Sequence, residues 1–217
     1  LPIINEDINE EWISDKTRYA CDGIKNQRID VPYFKSKKGF EKVSWEEANK
    51  IIVKKINETS PDKIAGFTGD LTNMETLYVT KEFFNKTIKS KYLDSRTNNH
   101  YVNTSNRENY IFNSKINGIE DSDLILLIGT NPRYEATILN LRIRKSYLKN
   151  NLDIYSIGDV GDLTYPYEIV PNETKIIKDI IEGKHFLSSK ITNSKKPIII
   201  IGHSVLNLKS GKYVFEE

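Results

Sequence analysis

Asp123-Leu124-Ile125-Leu126-Leu127-Ile128-Gly129-Thr130-Asn131-Pro132-Arg133 is the stretch that decides the fold. Its five consecutive apolar residues read as a strand covered on both faces, the pattern of a parallel sheet. The run passes through Gly129-Thr130-Asn131-Pro132 into a helix with Ile138, Leu141, Ile143 and Leu148 at apolar positions. Downstream, Asp153–Ile157 reads as a second such strand ending in Gly158-Asp159, and Glu173–Gly183 as a helix closed by glycine. Pro197 introduces a further strand, Ile198–Ile201, stopped by Gly202. Upstream, Ser44 and Glu47 form a capping box before Ala48, Ile51, Ile52 and Ile56 at helical spacing. Pro61-Asp62 breaks that helix, Lys63–Phe67 reads as a short strand, and Asp70–Asn73 opens a helix running to about Ser90. Strands alternating with helices make βαβ units, so the fold class is α/β with a doubly wound, mostly parallel sheet.

Residues 1–40 differ. They are rich in charge and turn formers, with one helical turn expected at Asp7–Ile13, capped by Asp7. Asp22-Gly23 and Ser36–Gly39 read as turns. The expected organisation is an N-terminal arm over 1–40, held at Ile8, Trp12, Ile13 and Tyr19, followed by the α/β domain over 41–217.

Composition sets outer limits. The chain has 217 residues, 32 Lys+Arg against 30 Asp+Glu, and a net charge of +2, so no large basic face for nucleic acid is implied. One Cys excludes a disulfide framework, an all-cysteine zinc site and a cubane iron–sulphur cluster held by this chain alone. The apolar runs Leu124–Ile128 and Ile198–Ile201 are far short of the ~20 residues that span a bilayer. Lys outnumbers Arg 25 to 7 and 30 Ile face 4 Ala, a bias that points to an A+T-rich coding sequence. Asn57, Asn85, Asn103 and Asn172 open Asn-x-Ser/Thr triplets, expected by chance in so Asn-rich a chain.

The sharpest chemical signal is the turn at Gly129–Arg133, where a strand ends and a helix begins. Its free N–H groups offer a seat for an anion, and Asp159 stands at the end of the next strand, where a ribose or purine is often read. Neither G-x-G-x-x-G nor a P-loop is present, so a plain structural βα turn is the simpler reading. His100, His185 and His203 share no ligand spacing, so no zinc or iron site is expected. Cys21 has no local His, and no G-x-S-x-G occurs. The basic run Arg142-Ile143-Arg144-Lys145 reads as the solvated side of an amphipathic helix.

Asn5-Glu6-Asp7-Ile8-Asn9-Glu10-Glu11-Trp12-Ile13-Ser14-Asp15-Lys16-Thr17-Arg18-Tyr19, with Asp22-Gly23, Gln27-Arg28 and Pro32, closely resembles the large iron–sulphur subunit of respiratory complex I. The match lies where that subunit leaves its cluster-bearing region and enters its molybdopterin-oxidoreductase-like domain. Val43–Ala48, Leu126–Arg133, Ala136, Arg142–Ser146, Asp162–Tyr165 and Lys196-Pro197 extend the likeness in the same order. The family's cysteine-rich region and the later part of its domain have no counterpart here. The chain therefore resembles the first part of that domain, split from the rest, and with its A+T-rich bias an organelle-encoded copy.

The resemblance implies a structural subunit or fragment in the matrix-facing arm of complex I, at the mitochondrial inner membrane. It implies no catalytic residues, no metal and no cofactor, with electron transfer from NADH to ubiquinone carried by other parts. In related molybdenum enzymes the same fold holds a pterin dinucleotide and supplies a Cys, selenocysteine or Ser to the metal. Here the loop Arg96–Asn106 contains no Cys, and Ser105 is the remaining substitute. Partners implied are the chain bearing the clusters and neighbouring arm subunits, with no nucleic acid and no membrane insertion. Trp12, Arg18, Asp22 and Arg28 are the expected interface residues, because Trp and Arg dominate interface energetics. The competing reading is a fragment of a molybdopterin-dependent oxidoreductase such as formate dehydrogenase or nitrate reductase. A third is an independent nucleotide-binding module.

Overall fold

The computed structural model describes residues 1–95, 100–173 and 175–217. The chain forms two compact units: residues 1–19 with 100–217, and residues 20–99. In chain order, the elements up to residue 99 are α1 (Asp15–Tyr19), α2 (Asp22–Lys25), β1 (Tyr33–Ser36), β2 (Gly39–Lys42), α3 (Trp45–Asn57), β3 (Gly66–Phe67), α4 (Met74–Glu82) and β4 (Leu93–Asp94). Then come β5 (Leu124–Ile128), α5 (Pro132–Glu135), α6 (Thr137–Asn150), β6 (Asp153–Ile157) and β7 (Glu168–Val170). The last are α7 (Ile176–Ile181), α8 (Phe186–Asn193), β8 (Pro197–Ile201), α9 (His203–Leu206) and α10 (Gly211–Glu216).

The larger unit carries a four-stranded parallel sheet in the order β7-β6-β5-β8. Its central strand β5 is buried at all five positions. Leu124, Leu126 and Ile128 pack on one side with Tyr155, Ile157, Val170, Ile176 and Leu187. Ile125 and Leu127 pack on the other with Ile119, Ile143, Leu152, Ile154, Leu163 and Ile198. Period-two alternation across two covered faces is why the run had to be apolar throughout. The fold is thus the α/β class with parallel strands expected from the sequence.

The smaller unit holds an antiparallel hairpin, β1 with β2, and a parallel pair, β3 with β4. Helix α3 starts at the expected capping box: Ser44 accepts from the Glu47 N–H while Glu47 takes the Ser44 N–H. The burial of side chains is thin here. Phe84 and Ile88 are its buried apolar residues, and Gly66 leaves them room, since a Cβ there would crowd the Phe84 ring and Leu93.

Several sequence expectations are corrected. The strand at Lys63–Phe67 shrinks to Gly66–Phe67, because Pro61–Lys63 winds into a 3-10 turn. The helix expected to reach Ser90 is α-helical through Glu82 and then continues as a π-helical stretch, Phe83–Ile88. Ser90 holds its end by bonding the carbonyls of Phe84 and Ile64. The helix expected over Glu173–Gly183 is α-helical at Ile176–Ile181; Thr174 lies outside the described residues. Asp7–Ile13 forms no helical turn; Asn5 and Glu10 close it into a loop through paired backbone hydrogen bonds.

Candidate functional site

Strands β5, β6 and β7 proceed to one side of the sheet, and β8 returns to the other side of β5. The carboxyl ends of β5 and β8 therefore flank the switch point, where an open α/β sheet takes a dinucleotide. Gly129, Gly202, Ser204 and Val205 fill that point. Gly129 sits at φ +58°, and a Cβ on it would overlap Val205 Cγ2. A Cβ on Gly202 would overlap the Gly129 carbonyl oxygen and stand 2.7 Å from Thr130 Cβ. Ser204 donates its hydroxyl to that same carbonyl, and the Gly202 N–H bonds Ile128 O at 2.9 Å.

The candidate anion seat is also taken, in keeping with the plain structural turn. Asn131 accepts from the N–H groups of Arg133 (3.0 Å) and Tyr134 (3.4 Å), while the Glu135 carboxylate accepts from the Asn131 N–H at 2.8 Å. Asn131 Nδ2 donates to Val160 O at 2.6 Å, tying the turn to the loop after β6. Asp159, standing where a ribose could be read, accepts instead from the Gly161 N–H and from the Tyr167 hydroxyl, each at 2.8 Å. Those two bonds, the backbone one foremost, hold its carboxyl below the ordinary range. The corner is a self-satisfied turn, and its residues do not fit a pterin dinucleotide.

The candidate ligands lie elsewhere. Cys21 is exposed at the start of α2 in the smaller unit. Ser105 is exposed, with its N–H bonded to Asn103 Oδ1 at 2.9 Å; residues 96–99 of its loop lie outside the described residues. Among the described residues no group of three His, Cys, Asp or Glu is placed to hold a metal ion. His185 caps α8 by accepting from the Leu187 N–H at 3.3 Å. His100 and His203 stack with ring centroids 4.8 Å apart, a pairing that sequence spacing gave no sign of.

Helix α6 brings two other segments of the family resemblance, the Asn5–Glu10 loop and Asp162–Tyr165, onto Arg142–Ser146. Arg142, expected on a solvated face, has a side chain only 4% exposed. Its guanidinium lies 2.5 Å from Glu120 and 3.6 Å from Glu10, and Lys145 bridges the same two carboxylates. Burial pushes the Glu120 carboxyl up, and the hydrogen bonds from Lys145 and Arg142 outweigh it, leaving Glu120 below its usual range. On the same helix Asn140 donates to Leu163 O at 3.1 Å and accepts from the Tyr165 hydroxyl at 2.7 Å. Burial drives the Tyr165 phenol up, so it stays protonated and donates. Arg144 bonds Thr164 O at 3.2 Å, and Arg133 pairs with Asp162. The loop Asp162–Tyr165 is thus fastened at four points. Helical periodicity located the charged positions but could not show that the chain's own loops cover them.

Of the four expected interface residues, Trp12 is 49% exposed and Arg18, Asp22 and Arg28 are exposed as well. Trp12 and Arg18 belong to the larger unit, Asp22 and Arg28 to the smaller. Of the residues expected to hold the arm, Ile13 is half-buried, while Ile8 is 48% and Tyr19 76% exposed. A groove of about 1030 Å³ runs between Ser14–Lys16, Phe112, Ile116 and the start of α6. Among the described residues no helix is long and apolar enough to cross a membrane.

The "NADH-ubiquinone oxidoreductase 75 kDa subunit" of Reclinomonas americana is 42% identical, over 100% of this chain and 33% of that protein. The "NADH-ubiquinone oxidoreductase 78 kDa subunit, mitochondrial" of Candida albicans is 38% identical over 100% of this chain and 30% of its own length. The mitochondrial NADH dehydrogenase (ubiquinone) iron-sulfur protein 1 of Solanum tuberosum is 37% identical, over 99% and 29% respectively. The chain spans about a third of the length of these relatives. Residues 1–22 match the NADH-ubiquinone oxidoreductase NDSU1/NuoG-like 4Fe-4S domain. Residues 28–217 match the molybdopterin oxidoreductase model from end to end of the α/β fold described above, and the chain belongs to that family.

Proposed function

We propose that this chain is a structural, non-catalytic part of the peripheral matrix arm of respiratory complex I, supporting electron transfer from NADH to ubiquinone. The observation that carries the reading is the switch point closed by Gly129, Gly202, Ser204 and Val205. A family fold built around a pterin dinucleotide has here spent that crevice on its own packing. The names of the relatives agree, since each is named as part of an NADH-oxidising, ubiquinone-linked enzyme. The partners on this reading are the polypeptide bearing the iron–sulphur clusters and neighbouring arm subunits, at the matrix face of the mitochondrial inner membrane. Trp12, Arg18, Asp22 and Arg28 are its interface residues. A molybdopterin-dependent formate dehydrogenase fragment would need an open crevice and a soft metal ligand beside it.

The test is affinity capture of the chain from native membranes, followed by a native gel stained for NADH oxidation. The chain is expected in the NADH-oxidising band. Replacing Trp12 and Arg18 together by Ala is expected to remove it from that band. A chain that never enters the band overturns the assignment, and a double variant that stays at wild-type level overturns the interface.

A further inference from the structure

The loop Asn5–Glu10 is gripped almost wholly through polar contacts. Arg142 Nη2 donates to the carbonyls of Glu6 and of Ile8, the latter at 3.3 Å. Asn117 Nδ2 donates to Asp7 Oδ1 at 2.8 Å. Lys145 and Arg142 share the Glu10 carboxylate, and Asn150 bonds Glu120 O at 2.9 Å, fixing the turn that bears the second carboxylate. Glu10 itself sits at φ +51°, a left-handed conformation uncommon outside glycine. Ile3, Ile4, Ile8 and Trp12 are all about half exposed or more, so the apolar side chains of this stretch contribute little of the holding. A guanidinium presents a rigid fork of donors, which is what reading two carbonyls and two carboxylates at once requires. A buried cation of this kind is costly to leave unpaired, so the loop and the helix stabilise each other.

We propose that the Arg142–Lys145 face of α6, with Glu120 and Asn117, is a docking site for the acidic loop Asn5–Glu10. Through that loop it seats the polypeptide bearing the iron–sulphur clusters against the molybdopterin-like domain. The proposal rests on the complex I reading for what the loop carries, since residues 1–22 match the 4Fe-4S domain. The docking itself is independent of that reading. The joint is electrostatic and specific: it recognises a loop shape through backbone carbonyls and two acidic side chains, Asp7 and Glu10.

Hydrogen exchange by mass spectrometry on the full purified chain tests the docking. Arg142→Met is expected to speed exchange of the amides in residues 5–12 by roughly 30-fold or more, while β6 keeps its protection. Arg142→Lys, which keeps the charge and loses the fork, is expected to fall between wild type and Arg142→Met. Glu10→Gln lies on the loop and outside the sheet. It is expected to speed exchange in 5–12 alone, and it decides the matter if Arg142→Met loosens the sheet as well. Wild-type exchange in 5–12 for Glu10→Gln, or protection in Arg142→Lys no better than in Arg142→Met, overturns the proposal. Failure of the complex I reading would show separately, as a chain absent from the NADH-oxidising band with the docking intact.

Discussion

Gly129→Ala is the perturbation that separates a structural corner from a ligand seat. The methyl group enters at φ +58°, where an L-residue pays about 1–2 kcal/mol. It also overlaps Val205 Cγ2 and stands 3.1 Å from Ser204 Oγ, and overpacking of this kind typically costs about 1–3 kcal/mol. The two contributions sum to about 2–5 kcal/mol, a fall in melting midpoint of roughly 5–15 °C for a chain of this size. Val205 is half-buried, so trimming it to Ala costs little by itself and removes the atom in the way. The double variant Gly129→Ala/Val205→Ala is therefore expected to recover the overpacking part and keep the backbone part, a favourable coupling of about 1–3 kcal/mol. Gly202→Ala is the control. Its methyl group meets the Gly129 carbonyl, so no side-chain trimming rescues it. Urea and thermal melts of the four proteins read the cycle. A Gly129→Ala protein that melts with wild type, or a Val205→Ala change that recovers nothing, refutes the closed switch point.

Acid should loosen the entrance to the sheet. Asp123 accepts from the Ser194 hydroxyl and from the N–H groups of Lys195 (2.7 Å) and Lys196 (3.0 Å), and these bonds, the hydroxyl foremost, hold its carboxyl down to about 2 from 3.8. A depressed carboxyl contributes stability above its unfolded pKa and loses it as pH falls through the folded one, so the loss falls between about pH 4 and pH 2. Asp123→Asn is expected to flatten that limb of an acid titration followed by circular dichroism; an unchanged limb would count against it. Tyr165→Phe leaves the buried Asn140 Oδ1 without its donor, and a loss of about 1–3 kcal/mol in urea melts is expected. A neutral result would mean that the Asp162–Tyr165 loop is held by its other contacts alone.

The sheet was legible because burial on both faces forces composition. No polar residue stands between Leu124 and Ile128; Asp153–Ile157 is buried almost as fully but admits Ser156, and Ile198–Ile201 is apolar throughout although Ile199 is half exposed. Strand β7 was not legible: it has three residues, of which Val170 alone is buried. The hairpin of β1 and β2 escaped for a similar reason, since its residues stay largely exposed and show no apolar alternation. The functional half was harder. Arg142, Asn140 and Glu120 are polar side chains whose partners are distant in sequence, and no local pattern tells a buried clamp from a solvated helix face. The Gly129–Gly202 approach is of the same kind. Gly129 stood out as a βα turn and Gly202 as a strand stop, but only the parallel pairing of β5 with β8 brings the two together.

On the function proposed above, this family fold serves as scaffold without a metal-bearing pterin. The most direct measurement is elemental analysis for molybdenum and tungsten on chain captured from native membranes, with the same eluate assayed for NADH oxidation. The expected result is NADH oxidation travelling with a chain that carries neither metal in stoichiometric amount. One molybdenum or tungsten per chain would contradict it.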